Sequence, residues 1–229
     1  SRFPRKVLAP LAGKPLVLQT ASRLDLATAV DEVLVATDSD EVAEAATAVG
    51  REVVLVSEPC RTGSDRVAAA VRGRDAAIVV NLQADQPLID PRDIDRTVAL
   101  LESDDHLDIA TLAFPDGDPD SLENPHVVKV VVDADGGALS FTRRPVSLGC
   151  PLPGNALFLH HVGIYSFRRP ALERFAALDR GRLEVRESLE QLRALEHGMR
   201  IGVVVTDHRS PGVDRPEDLA RVAGLLRGG

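Results

Sequence analysis

Three short apolar runs, separated by amphipathic stretches, dominate the first third of the chain. They cover residues 31–38 (DEVLVATD), 51–58 (REVVLVSE) and 76–83 (AAIVVNLQ). Their apolar positions are continuous rather than alternating, which is typical of strands buried on both faces of a parallel sheet. The intervening stretches 39–50 (SDEVAEAATAVG) and 64–73 (SDRVAAAVRG) each begin with serine, carry acidic residues in the first turn and end in glycine. That pattern predicts helices with serine N-caps.

The alternation of strand and helix predicts right-handed βαβ units in an α/β fold. The expected architecture is a three-layer sandwich around a mostly parallel, Rossmann-like sheet. Beyond residue 107 the strands change character, and the glycine pair Gly136 and Gly137 predicts a hairpin, so we expect a small antiparallel or mixed extension. The later elements predicted from the pattern are strands at 107–114, 126–143 and 156–168, helices at 169–178 and 183–198, a strand at 200–207 and a closing helix from about Pro216.

Composition narrows the classes of protein that fit. With 229 residues and 44% apolar content, the chain has enough core for one domain, 1–229, with the extension at about 107–200. The net charge of -8 argues against a nucleic-acid partner. No apolar run approaches the roughly 18 residues of a membrane span, and no secretory leader is evident, so a cytoplasmic location is predicted. Cys60 and Cys150 lack the spacing of a disulfide framework or a zinc site.

The N-terminus begins with a basic, proline-containing loop, SRFPRKVLAPLAGKPLV, with no strand before it. A parallel sheet with these crossovers normally starts with a strand that leads into such a loop. We therefore expect further residues upstream. Gly13, Lys14 and Pro15 predict a turn with proline at the first helical position.

Two aspartates follow strand ends. Asp85 comes just after the run at 76–83, and Asp214 lies in a GVD turn after the strand near 201–205. Sheets of this class bind ligands at the carboxyl ends of their strands, and Mg²⁺ is usually held by one or two carboxylates together with substrate oxygens. The two aspartates are therefore candidates for a magnesium pair. The structural alternative is that Asp85 caps a turn before Pro87 and that Asp214 N-caps the last helix.

Several stretches, in this order and spacing, resemble the 3-deoxy-manno-octulosonate cytidylyltransferase (CMP-Kdo synthetase) family from Ser1 to about Leu226. They are SRFPRKVL, GKPLV, VATDSDEVA, RTGSDRVA, NLQADQPLI, NPHVVKVVVDADGGALSFTRRP, HHVGIYSFR, LEVRESLEQLR and PGVDRPEDL. The resemblance implies a nucleotidyltransferase-type sheet and transfer of CMP from CTP to the C2 hydroxyl of 3-deoxy-D-manno-octulosonate (Kdo), with release of pyrophosphate. It also implies Mg²⁺, a homodimer and a place in cytosolic lipopolysaccharide precursor synthesis.

The resemblance also implies roles for individual residues. Asp85 and Asp214 would hold Mg²⁺, and with Lys6 they form the expected catalytic set. The residues expected to bind the nucleotide are Arg2, Lys6, Thr62, Gly63, Ser64 and Arg66. Those expected to bind the sugar acid are Gln83, Arg143, His161, Glu190 and Gln191. The chain departs from the family at Arg5-Lys6-Val7, where relatives read G-K-P, and at Ala84-Asp85-Gln86, where they commonly read G-D-E.

Each assignment has a structural alternative. Residues 62–66 also fit an N-capped helix with an exposed arginine, a lone strand histidine is more often a core residue, and LEQLR fits an ordinary amphipathic helix. Lys129, in a strand among valines, needs a ligand or an edge position, and the resemblance favours a place near the site. The functional alternatives are a cytidylyltransferase for 8-amino-Kdo or an acylneuraminate, or a degenerate, non-catalytic nucleotide-binding module.

Overall fold

The structure, a computed structural model, describes residues 3, 5–146 and 156–228. Two residues singled out above, Arg2 and Cys150, lie outside the described residues. Within the described ranges, every helix is too short or too polar to span a lipid bilayer.

The described residues form ten strands and nine α-helices, with a 3-10 turn at Lys6–Leu8. The strands are β1 (Pro10–Leu11), β2 (Lys14–Pro15), β3 (Leu34–Thr37), β4 (Glu52–Leu55), β5 (Ile78–Leu82), β6 (Ile109–Asp116), β7 (Lys129–Val132), β8 (Ala138–Thr142), β9 (Phe158–Arg168) and β10 (Ile201–Val205). The helices are α1 (Leu16–Leu24), α2 (Asp40–Thr47), α3 (Gly63–Ala70), α4 (Pro91–Ser103), α5 (Pro119–Glu123), α6 (Arg169–Ala177), α7 (Arg182–Glu187), α8 (Gln191–Glu196) and α9 (Pro216–Gly228).

The chain divides into two compact units. The first comprises the described parts of Ser1–Asp75, Asn81–Asp95 and Ser210–Gly229, and the second those of Ala76–Val80 and Arg96–Arg209. The described part of the predicted extension at about 107–200 falls entirely within the second unit.

Two small apolar clusters lie among the described residues of the first unit. In one, α1 packs against β3 and α2 through the buried residues Val17, Leu18, Val35, Val42 and Ala46. The other joins the N-terminal segment to the C-terminal segment through Leu11, Leu16, Val213 and Val222. Because Val213 is fully buried there, the position of its neighbour Asp214 is fixed by core packing.

The second unit is built on a mixed sheet with the order β10-β6-β9-β7-β8, in which β5 also pairs with β9. The β6 and β10 strands are parallel, whereas β6 with β9, β9 with β7, and β7 with β8 are antiparallel. The β7–β8 hairpin turns at Gly136, whose φ of 85° suits glycine, as predicted. In the first unit β3 and β4 pair in parallel. The α/β class is therefore confirmed.

Three local predictions were wrong. The predicted helix at 183–198 is two helices, because Ser188 has left-handed backbone (φ 54°) and ends α7. The N-cap of α3 is Thr62 rather than Ser64, because the Thr62 hydroxyl accepts the amide of Asp65 while Ser64 is buried inside the helix. Pro15 is the N-cap of α1 and not its first helical residue, since it pairs in the β1–β2 hairpin.

Candidate active site

Three charged side chains meet in the first unit. The ammonium of Lys6 donates to Oδ2 of Asp85 at 2.7 Å and lies 3.6 Å from Oδ1 of Asp214. The side chains of Lys6 and Asp85 are about one-fifth exposed, and that of Asp214 is 59% exposed. The structure thus brings together the two predicted metal ligands and the predicted catalytic lysine, and leaves them open to solvent.

Backbone contacts place the two aspartates. The carbonyl of Asp85 accepts the amide of Val213 at 2.9 Å, which ties the end of β5 to the residue before Asp214. Gly212 permits this approach, because a Cβ there would lie 2.9 Å from Nε2 of Gln86 and 3.2 Å from the carbonyl oxygen of Asp85. The carbonyl of Ala84 is held by the hydroxyl of Thr20 at 2.7 Å.

The capping interpretation of Asp214 is wrong. Helix α9 is capped from inside by Asp218, whose Oδ2 accepts the amides of Asp214 at 3.0 Å and Arg215 at 2.9 Å. This is the reciprocal half of a capping box. The carboxylate of Asp214 therefore remains available to Lys6. The carboxylate of Asp85 contacts Lys6 and, more weakly, Nε2 of Gln86 at 3.5 Å, and among the described residues no backbone amide donates to it.

The donor set of this cluster fits a hard divalent cation. Two carboxylates are the usual protein contribution to a Mg²⁺ site, with substrate phosphates and water completing the coordination. Within residues 3, 5–146 and 156–228, no group of three or more His, Cys, Asp or Glu side chains is arranged to hold a metal ion. A metal held by Asp85 and Asp214 therefore needs ligand oxygens from elsewhere, as a triphosphate would supply.

The predicted nucleotide segment begins α3. Thr62 caps the helix and Ser64 is buried, with its hydroxyl accepting Nδ2 of Asn81 at 3.0 Å. At Gly63, a Cβ would meet no atom within 4 Å, so this part of the helix N-terminus is open. Arg66 pairs with Asp38 at 2.7 Å, and its buried Nε has no hydrogen-bond partner among the described residues. Gly63 and Arg66 are therefore better placed for a ligand than the Ser64 hydroxyl.

The loop before Lys6 contains a turn that favours glycine. Arg5 has φ 57° and ψ 23°, in the left-handed region that costs an L-residue about 1–2 kcal/mol. Its guanidinium pairs with Glu41 at 2.7 Å on the surface. At the departure from G-K-P, an arginine therefore occupies a backbone conformation that glycine adopts at lower cost.

The predicted sugar-binding residues divide between the two units. Gln83 belongs to the first unit, where it is partly buried and its carbonyl accepts the amide of Gln86. Arg143, His161, Glu190 and Gln191 belong to the second unit. Gln191, at the start of α8, is 3% exposed, and its Nε2 has no hydrogen-bond partner among the described residues.

His161 is a buried, neutral imidazole. Its Nε2 lies 2.9 Å from the hydroxyl of Thr111, which itself lies 2.6 Å from the carbonyl oxygen of Ile164. Because the single hydroxyl hydrogen of Thr111 goes to that carbonyl, Nε2 of His161 is the donor in its own bond. Burial, with a smaller contribution from His160, lowers the pKa of His161 to about 3. The side chain can therefore offer hydrogen bonds near neutral pH, but no positive charge.

The neutral state of His161 predicts an acid-dependent loss of stability. Its pKa falls from 6.5 to about 3 on folding, so unfolding takes up a proton between these values. The contribution of this group is complete above the unfolded pKa and falls by about 1.4 kcal/mol per pH unit below it. Between about pH 7.5 and about pH 5, urea unfolding should show a loss about 2 kcal/mol larger in the unaltered protein than in His161→Gln. Equal losses would contradict the neutral assignment.

Three supporting residues were not anticipated from the sequence. Asn81 holds Ser64, Asp38 pairs with Arg66, and Asp218 caps α9. The available signal for Asn81 was a lone amide inside an apolar strand, where a buried polar group needs a partner. The signal for Asp218 was an acid three residues into a helix, which is the N3 position of a capping box.

Comparison with known proteins adds a family match over most of the chain. A cytidylyltransferase family model matches residues 1–201. The chain is 49% identical to a 3-deoxy-manno-octulosonate cytidylyltransferase of Anaeromyxobacter sp. (strain Fw109-5), covering 100% of this chain and 93% of that protein. It is 43% identical to the protein of the same description in Chlorobium limicola, covering 99% and 93%. A solved CMP:2-keto-3-deoxy-manno-octonic acid synthetase complexed with CTP matches with a TM-score of 0.88 at 35% identity, covering 100% and 94%.

Proposed function

Because the chain belongs to the 3-deoxy-manno-octulosonate cytidylyltransferase family, we propose that it transfers CMP from CTP to Kdo, giving CMP-Kdo and pyrophosphate. The observation that carries the proposal is the cluster of Lys6, Asp85 and Asp214 at one exposed place in the first unit. The Lys6 ammonium can bind phosphate oxygens, and the two carboxylates can bind a divalent metal. The cluster is therefore suited to a triphosphate that carries a metal ion.

The reaction requires the protein to align the two substrates and to neutralise phosphate charge. The C2 hydroxyl of the sugar loses its proton and its oxygen attacks the α-phosphorus of CTP, a new P–O bond forms, and the bond to the β-phosphate breaks as pyrophosphate leaves. Such transfers depend on alignment and on neutralising the phosphate oxygens. Lys6 supplies a point charge for those oxygens. Asp85 and Asp214 would hold Mg²⁺, which when bound would neutralise further phosphate charge.

We propose the remaining roles from the family resemblance, together with the contacts of the described side chains. Gly63 offers open backbone at the start of α3, and Arg66 and Arg2 are the cations proposed for the nucleotide. For the sugar acid we propose Gln83, Arg143, His161, Glu190 and Gln191, with His161 acting as a neutral hydrogen-bonding group. The proposed setting is the cytoplasm, in lipopolysaccharide precursor synthesis, with a homodimer as the assembly. The location, the pathway and the dimer are proposed from the family resemblance alone.

Pyrophosphate release tests the function directly. The purified protein is incubated with CTP, Mg²⁺ and one acceptor at a time from Kdo, 8-amino-Kdo and N-acetylneuraminate. We expect release with Kdo that disappears when CTP or Mg²⁺ is omitted. Release with another acceptor but not with Kdo would move the assignment to that sugar acid. CTP binding without release from any acceptor would favour the non-catalytic module.

A further inference from the structure

Four consecutive backbone carbonyls in the second unit, at residues 124–127, are held by two basic side chains. The ammonium of Lys129 donates to the carbonyl oxygens of Asn124 at 2.8 Å and Val127 at 3.0 Å. Nη1 of Arg143 donates to those of Pro125 at 3.2 Å and His126 at 3.4 Å. This segment, which we call the carbonyl loop, is therefore bound by both side chains, in addition to its own hydrogen bonds from the amides of His126 and Val127 to Asn124.

Lys129 is not placed as the sequence suggested. It is 1% exposed and lies on β7, between β8 and β9, so it is neither at an edge of the sheet nor open to a ligand. Its third hydrogen bond goes to the carbonyl of Arg143 at 3.3 Å, and its ammonium lies 5.7 Å from the centroid of the Phe158 ring. An ammonium has three donors. All three are taken by carbonyl oxygens, so none remains for a substrate.

Arg143 is held on one side of its guanidinium. Besides the two bonds from Nη1, its Nε donates to the carbonyl of Glu187, the last residue of α7, at 3.1 Å. Among the described residues, its Nη2 makes no hydrogen bond. The side chain is partly buried and makes three hydrogen bonds, so the long arm of the arginine is ordered before any ligand arrives. An ordered guanidinium loses less freedom when it binds a carboxylate.

We propose that Lys129 is a positioning residue that holds Arg143, through the Arg143 carbonyl and the carbonyl loop, in the orientation that receives the carboxylate of the acidic sugar. The inference rests on the proposed function, because it takes Arg143 as a contact of the sugar acid. Lys129 itself does not touch the substrate. Without the ammonium, the carbonyls of Val127 and Arg143 lose this donor and that of Asn124 keeps the amide of Val127 at 3.2 Å, so the loop is held less firmly. Arg143 would then become ordered only when the sugar acid binds, and the conformational freedom it loses would weaken the binding.

The test compares the Michaelis constants for the two substrates. Lys129→Met keeps the length of the side chain and removes its donors and charge. We expect the KM for the sugar acid to rise about tenfold or more, while the KM for CTP and the kcat change by less than about threefold. Lys129→Gln, which retains two donors, should show an intermediate KM, and it also provides the measurement if the methionine variant does not fold. Leu101→Ala, at a fully buried position of the same unit, is the control for lost stability alone and should leave the ratio of the two KM values unchanged.

Coupling to Arg143 separates positioning from general loosening. In an Arg143→Ala background, Lys129→Met should raise the KM for the sugar acid no further, because the side chain through which it acts is gone. Additive effects, equal rises in both KM values, or an unchanged KM for the sugar acid would each overturn the inference and leave the proposed function intact. Absence of turnover by the unaltered protein with every acceptor would overturn the proposed function, and the inference with it.

Discussion

Asp85→Asn and Asp214→Asn should each lower kcat by roughly three powers of ten, because each keeps the shape of the side chain and removes one of the two charges available to a metal. The two carboxylates share Lys6 at 2.7 Å and 3.6 Å, and within the described part of the chain no third acidic side chain joins them that could replace either one. The measurement is steady-state pyrophosphate release at saturating CTP and Kdo. Raising the Mg²⁺ concentration should recover part of the loss, since the missing charge weakens metal binding.

Asp218→Asn is the matched control for this pair. It removes a carboxylate charge four residues from Asp214, and asparagine can still accept the two amides that Asp218 caps. We expect turnover close to that of the unaltered protein. Near-normal activity in both Asp85→Asn and Asp214→Asn would remove the two aspartates from the mechanism. An equal loss in Asp218→Asn would show that net charge, rather than the paired site, is responsible.

Arg193→Met should lower the free energy of unfolding by about 3–5 kcal/mol, because it removes the buried counter-ion of Glu184 and leaves that carboxylate only the 44% exposed Arg180. Arg193 and Glu184 are 0% and 1% exposed, and they form two bonds, from Nε to Oε2 at 2.9 Å and from Nη2 to Oε1 at 2.7 Å. The guanidinium also lies 4.4 Å from the centroid of the Phe175 ring. Burial acts to raise the pKa of Glu184, but hydrogen bonding to Arg193 and its charge outweigh it, so the pKa is lowered. Glu184 is therefore charged at neutral pH.

Urea unfolding at neutral pH measures this cost, and a double variant tests its origin. Glu184→Leu combined with Arg193→Met removes both charges and should recover a substantial part of the loss, because no unpaired ion remains. If the double variant is as unstable as the sum of the two single variants, lost packing rather than an orphaned charge is the cause. A loss below about 1 kcal/mol in Arg193→Met would show that the pair behaves like an exposed one.

The sequence pattern was sufficient to predict those elements whose conformation depends on residues close together in the chain. The strand around Val35, the helix around Val42 and the glycine turn at Gly136 were predictable, because apolar period and turn chemistry act within a few residues. The approach of Asp85 to Asp214 was predictable only through a rule of topology, that ligands bind where strands end, together with the family resemblance. The pattern itself does not contain the Gly212 contact that permits it.

Other features depend on partners that are distant in the chain. The break at Ser188 allows Arg193 to turn back onto Glu184, and a helical period alone cannot indicate a buried ion pair. The sequence predicts a ligand or an edge position for Lys129, because a buried ammonium needs partners. In the structure the partners are backbone carbonyls, whose direction no sequence pattern encodes. The helix period does not distinguish Thr62 from Ser64 as N-cap, since both can accept the capping amide.

A crystal grown with CTP and Mn²⁺ in place of Mg²⁺ tests the central claim most directly, because the anomalous signal locates the metal independently of the protein atoms. We expect a metal bonded to a carboxylate oxygen of Asp85, to one of Asp214, and to oxygens of the triphosphate, with the Lys6 ammonium on a phosphate. A metal bound with its triphosphate elsewhere, and with Asp85 and Asp214 still paired only to Lys6, would contradict it.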